Sequence, residues 1–190
     1  MEEDLLRCME LISPLLVSLH DEWRGAHQLY QQRYPADILA EHDESTAASC
    51  VRAHMLMAVM RRFDGTDGCH VLDINGLKVL NYRDLAVFRF KKVDAAGRHQ
   101  NYQTEQQKDF DGQLPLPNLP AAVRLTSGYQ LDISGQAIER IIIARPLGTS
   151  IMWTAQVNVI EDQASWIDIT PRRLAGTERF DYRGRAGGRR

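Results

Sequence analysis

The chain has 190 residues, 44% of them hydrophobic and 25% charged, enough to bury one substantial core. No apolar run approaches the roughly 18 to 20 residues of a transmembrane helix. The start Met1-Glu2-Glu3-Asp4 is acidic where a signal peptide is basic, and three scattered cysteines make no disulfide framework. The expectation is a cytoplasmic protein with reduced thiols, no membrane contact and no cofactor. The net charge of −2 conceals an asymmetry: from Pro171 onward seven arginines face Glu178 and Asp181, a balance of +5. The first 170 residues carry 16 basic and 23 acidic groups, or −7, so the body is not a basic nucleic-acid-binding domain.

Leu5, Leu6, Met9 and Ile12 predict a helix over residues 4–12. Ser13-Pro14 reads as an N-cap with proline in the first turn, and Leu15, Leu19, Trp23, Ala26 and Tyr30 continue a helix to about Arg33. Tyr34-Pro35 ends it, because the residue before proline is pushed out of the α region. Residues 36–43 read as a connection. Asp43, Glu44 and Ser45 then suit the start of a helix over 44–62, where acidic and capping groups meet the positive end of the dipole. That helix is apolar nearly all round, which predicts burial on several sides and makes Arg52 and His54 conspicuous.

Three strand-like runs follow, 69–74, 77–82 and 85–93. Asn75-Gly76 is the dipeptide of a type I′ hairpin turn, and Arg83-Asp84 is a second tight link. The third run is the most informative. Side chains alternate across a strand, so Phe88 and Phe90 face a core while Val87, Arg89 and Lys91 share the opposite face. Residues 102–110 read as a short polar helix begun at Thr104. Three prolines in 114–120 make an extended crossing segment. Strands are predicted over 123–133, 137–144 and 150–160, with a short apolar run at 165–169 around Trp166. The layout is α+β: N-terminal helices followed by a mostly antiparallel sheet of about six strands. It divides into a helical segment 1–35, a core domain 36–170 and a basic tail 171–190, Gly- and Arg-rich and predicted to be disordered in isolation.

No phosphate loop, nucleophile elbow or dinucleotide fingerprint is present. Cys50 and His54 have a workable ligand spacing on a helix, but with Cys69-His70 they match no familiar zinc module, so core cysteines and no metal are expected. A nuclease of the restriction-endonuclease-like type would set two carboxylates and a lysine on adjacent strands. Asp73, Asp84 and Lys91 are the candidates, yet position 89 is arginine where such a site places an acid. The candidate binding residues are Arg52, His54, Arg89, Lys91 and Lys92, with Arg183 and Arg185 in a tail that suits phosphate contact.

The helix carrying Arg52 and His54, the strand Val87 to Asp94, Ser127-Gly128-Tyr129-Gln130-Leu131-Asp132, and Pro146-Leu147-Gly148 leading to Trp153 together resemble a poorly characterised group of bacterial proteins. The resemblance covers about residues 40–160. It implies encoding beside a helix-turn-helix repressor joined to a metallopeptidase domain, a setting of toxin–antitoxin or prophage-control operons. The leading reading is a non-enzymatic binding or regulatory protein that contacts an anionic partner or nucleic acid through the basic sheet face and the tail. A partner protein encoded nearby belongs to that reading. The alternatives are a metal-dependent nuclease toxin, and a structural protein that dimerises through its N-terminal helix.

Overall fold

The computed structural model describes residues 2–99, 104–117 and 119–171. Four helices come first: α1 (Glu2–Ile12), α2 (Leu16–Arg33), α3 (Ala36–Glu41) and α4 (Glu44–Phe63). Seven strands follow: β1 (Cys69–Ile74), β2 (Leu77–Tyr82), β3 (Ala86–Lys92), β4 (Val123–Leu131), β5 (Ile138–Leu147), β6 (Ser150–Ile160) and β7 (Gln163–Asp168). A fifth helix, α5 (Glu105–Asp111), interrupts them between β3 and β4. The class is α+β, and the sheet has one strand beyond the expected six, because the run around Trp166 pairs with β6.

Spatial strand order equals sequence order. Five of the six pairings are antiparallel, and β3–β4 is parallel. The long connection explains the exception: parallel neighbours need a crossover of a dozen or more residues, and α5 with the proline-rich segment supplies it. Gly128 belongs to this junction. A Cβ there would lie 2.8 Å from the Lys91 carbonyl oxygen and 2.9 Å from a Val93 methyl, so glycine permits the close approach of β3 and β4.

Helices α2 and α4 cover one face of the sheet. Leu16, Leu19, Trp23, Ala26 and Tyr30 recur at helical spacing and share a core with Phe88, Phe90, Tyr129, Ile141, Ile143 and Trp153. Trp23 Nε1 also donates to Ser127 Oγ at 2.9 Å. Leu5, Met9 and Ile12 of α1 join the same core, so the first 35 residues have no separate one. The other face is covered by α5 and the crossover, where Phe110 and Leu116 pack on Ile74, Leu77, Val79 and Val87.

Three local expectations change. Ser13-Pro14-Leu15 forms a turn of 3-10 helix with no side-chain cap, because α1 runs into α2 without leaving the helical region. Residues 36–41 form a short helix whose Leu39 N–H bonds to the Pro35 carbonyl. Helix α4 is buried on one side only. Val51, Met55, Leu56, Ala58, Val59 and Phe63 form its inner stripe, while Met57 and Met60 are exposed. Its N-cap is the expected Asp43, whose Oδ1 accepts from Thr46 N at 2.7 Å. Asn75 and Gly76 both take positive φ, as a type I′ turn requires. Among the described residues no helix is long and apolar enough to cross a membrane.

Candidate anion-binding site

The register of β3 creates the site. Strand β2 pairs with β3 only at Leu80–Phe88, Asn81–Val87 and Tyr82–Ala86, and then diverges. The margin of β3 beyond Phe88 is thereby open on that side. Arg52 reaches it from α4, and its Nε donates to the Phe90 carbonyl at 3.2 Å. An open strand margin leaves backbone groups without ladder partners, and here a guanidinium serves one of them. The Nη atoms of Arg52 make no hydrogen bond to the described residues.

Arg89 is different in kind. It is 2% exposed, and its Nε donates to Thr126 Oγ1 at 2.9 Å on the neighbouring strand. Its Nη2 forms an ion pair with Asp111 at the end of α5, and its guanidinium carbon lies 5.1 Å from the Phe110 ring centre. His99 Nε2 stands 3.3 Å from the other oxygen of Asp111. Burial lowers the Arg89 pKa, and the Asp111 charge and hydrogen bond oppose that shift. The alternation that puts Arg89 opposite Phe88 is as expected, but that face is roofed by α5. Arg89 is therefore a pillar between sheet and crossover, not a cation displayed to solvent. Its Nη1 and the Nδ1 of His99 are buried without hydrogen bonds to the described residues.

Lys91 completes the cluster. It is 7% exposed and makes no hydrogen bond or ion pair among the described residues. Burial drives its pKa down from 10.5 to about 8, helped by the charges of Arg52 and Arg89 and opposed by Asp111. Among the described residues three cations thus meet one carboxylate. An enclosed excess of positive charge is costly unless an anion answers it or a proton is lost.

The remaining sequence candidates fall elsewhere. Lys92 points the other way and pairs with Glu44 at 2.8 Å, on the rim of an open groove of about 1270 Å³ between α2, α3, the start of α4 and the β4–β5 turn. His54 lines a shallower hollow with Glu22 and Arg61, apart from Arg52. Burial and then the Arg33 charge lower its pKa. Arg183 and Arg185 lie outside the described residues.

The nuclease set does not assemble. Asp73 lies on β1 opposite Lys78 near the start of β2, Asp84 lies in the turn beyond the other end of β2, and Lys91 is at the far end of β3 from Asp84. Asp73 instead accepts from Gly76 N, and Asp84 from Asn81 Nδ2. Cys50 receives the Tyr34 hydroxyl at 3.7 Å, and among the described residues no three His, Cys, Asp or Glu side chains are grouped to hold a metal ion.

Sequence reasoning did not single out Asp111 or His99. One signal was available: an aspartate in the last turn of a helix opposes the dipole, so Asp111 needs a cation from elsewhere in the fold.

No family model, no curated protein and no solved structure matches the chain.

Proposed function

We propose that this chain is a binding protein that holds a small anionic group, such as a phosphate or a carboxylate, between Arg52 and Lys91 at the open margin of β3. One observation carries the reading: Lys91 is a nearly buried residue that makes no ion pair among the described residues, and the charges of Arg52, Arg89 and Asp111 act on it, Asp111 being already engaged by Arg89. Arg52 supplies Nη donors that bond to none of the described residues and suit oxyanions, and Lys91 supplies a compact point charge. Arg89 and Asp111 position the floor. The enclosure favours a small group, free or projecting from a partner, over a nucleic-acid backbone, which needs a broad accessible surface. An anion that binds only the folded state stabilises it, which gives a regulatory protein a ligand-dependent equilibrium.

The test compares thermal melts in sodium sulfate, sodium phosphate and sodium chloride at equal ionic strength and pH 7. Sulfate and phosphate strengthen burial in any protein, so the variants decide. The wild-type increment over chloride should exceed that of Lys91→Met and of Arg52→Met. Equal increments in all three proteins reject the site.

A further inference from the structure

We propose that the Lys91 Nζ is a carbonyl-reactive amine that captures a small aldehyde or ketone bearing a carboxylate, of the 2-oxo acid class, as a reversible Schiff base. The inference rests on the anion-site reading above and names the ligand class of the same site. Amine nucleophiles are activated where a lysine is desolvated and crowded by other cations. Lys91 meets both conditions. It is almost wholly buried, Arg52 is bonded to the carbonyl of the preceding residue Phe90, Arg89 lies two residues away on the same strand face, and Asp111 is the carboxylate that opposes their charges. It is also unencumbered, since it makes no hydrogen bond or ion pair among the described residues. Burial accordingly brings its pKa to about 8, so an appreciable fraction is neutral amine near neutral pH.

The arrangement separates two tasks. The Nη atoms of Arg52 can take the carboxylate of the incoming molecule, while Nζ faces its carbonyl carbon. Attack forms the C–N bond as the carbonyl π electrons move to oxygen, which takes up a proton. The resulting carbinolamine expels water and leaves a protonated imine, with no oxidant or reductant consumed. The imine then carries the positive charge that the ammonium carried, next to the bound carboxylate. Hydrolysis reverses the sequence, so the step is capture and release rather than turnover.

The chain offers its own controls, because it has only four lysines: Lys78, Lys91, Lys92 and Lys108. The full-length protein is incubated at pH 7 with glyoxylate, reduced with cyanoborohydride, digested and mapped by mass spectrometry. Lys91 should be labelled on the order of tenfold faster than the half-buried, ion-paired Lys92, and sulfate should slow labelling at Lys91 alone. Lys91→Arg keeps the charge and should lose the fast label without losing the fold. Labelling of Lys91 no faster than the other three overturns the inference. If sulfate still stabilises wild type more than Lys91→Met, the anion site stands without the reactive amine. If it does not, both fall.

Discussion

Arg89 and Asp111 form an ion pair in which neither side chain is more than 3% exposed, joining the centre of the sheet to the end of α5. Such a pair holds the crossover down, but it contributes through its completeness. Removing one partner leaves a buried charge unanswered, at a cost of about 3–5 kcal/mol. Arg89→Ala should therefore destabilise the protein about as much as Phe88→Ala, whose loss of a buried ring costs about 3–5 kcal/mol. Arg89→Met with Asp111→Leu should recover much of the loss. Urea unfolding checks this, and a cost near zero for Arg89→Ala would mean the pair does not form in solution.

Lys91 should make stability depend on pH in the opposite sense to a paired cation. Its folded pKa, about 8, lies below the ordinary 10.5, so between those values the unfolded chain binds more protons. Stability then rises with pH across that window. Below pH 8 the buried ammonium costs about 3 kcal/mol, the equivalent of the shift. Lys91→Met in anion-free buffer should be more stable than wild type at pH 6.5, with the advantage fading between pH 8 and 10. A pH-independent difference in denaturant midpoints would count against a buried charged Lys91.

Asp4 anchors α1 to the sheet. Its Oδ2 accepts from Trp153 Nε1 at 2.7 Å, and its Oδ1 pairs with Arg145. Burial works to raise the Asp4 pKa, but the Arg145 and Trp153 hydrogen bonds outweigh it and hold the group below 3.8. A depressed carboxyl stabilises above its unfolded pKa, and that contribution is lost as pH falls through the folded value. Asp4→Asn should cost about 1–3 kcal/mol at pH 7. The gap from wild type should close as pH falls below the ordinary carboxylate range, as followed by tryptophan fluorescence during unfolding.

Much of the fold was legible because its signals are local. The helical spacing of Leu19, Trp23, Ala26 and Tyr30, the Asn75-Gly76 turn and the alternation through Phe88 and Phe90 each depend on a few neighbouring residues. The pairing of Arg89 with Asp111 was not legible, since it joins a strand to a helix across 22 positions and a crossover of irregular backbone. The parallel β3–β4 pairing was hidden for the same reason. An apolar α4 suggested burial on several sides, yet Met57 and Met60 are exposed, because composition does not reveal how many layers lie above a helix. Arg52 was visible as an exception on an apolar helix. Its approach to the Phe90 carbonyl became apparent only with the divergence of β2.

The arginine-rich segment is a separate question from the cation cluster. Among the described residues the buried members of the main core lie between Leu5 and Val157, so a chain ending at Pro171 should melt with the full-length protein. If Arg183 and Arg185 contact phosphates, the full chain should bind single-stranded nucleic acid more tightly at low salt, and truncation should flatten the salt dependence. Equal binding by both forms would remove the segment from any nucleic-acid role.

The central claim, an anion held against Lys91, is tested most directly by following the Lys91 side-chain methylene next to Nζ by NMR through a pH titration, with and without inorganic phosphate. A bound anion favours the charged amine, so the midpoint should move upward from about 8 toward 10.5 when phosphate is present. Arg52→Met should shrink that movement. A Lys91 that titrates at the same pH in both conditions, while its folded-state signals persist, would contradict the site.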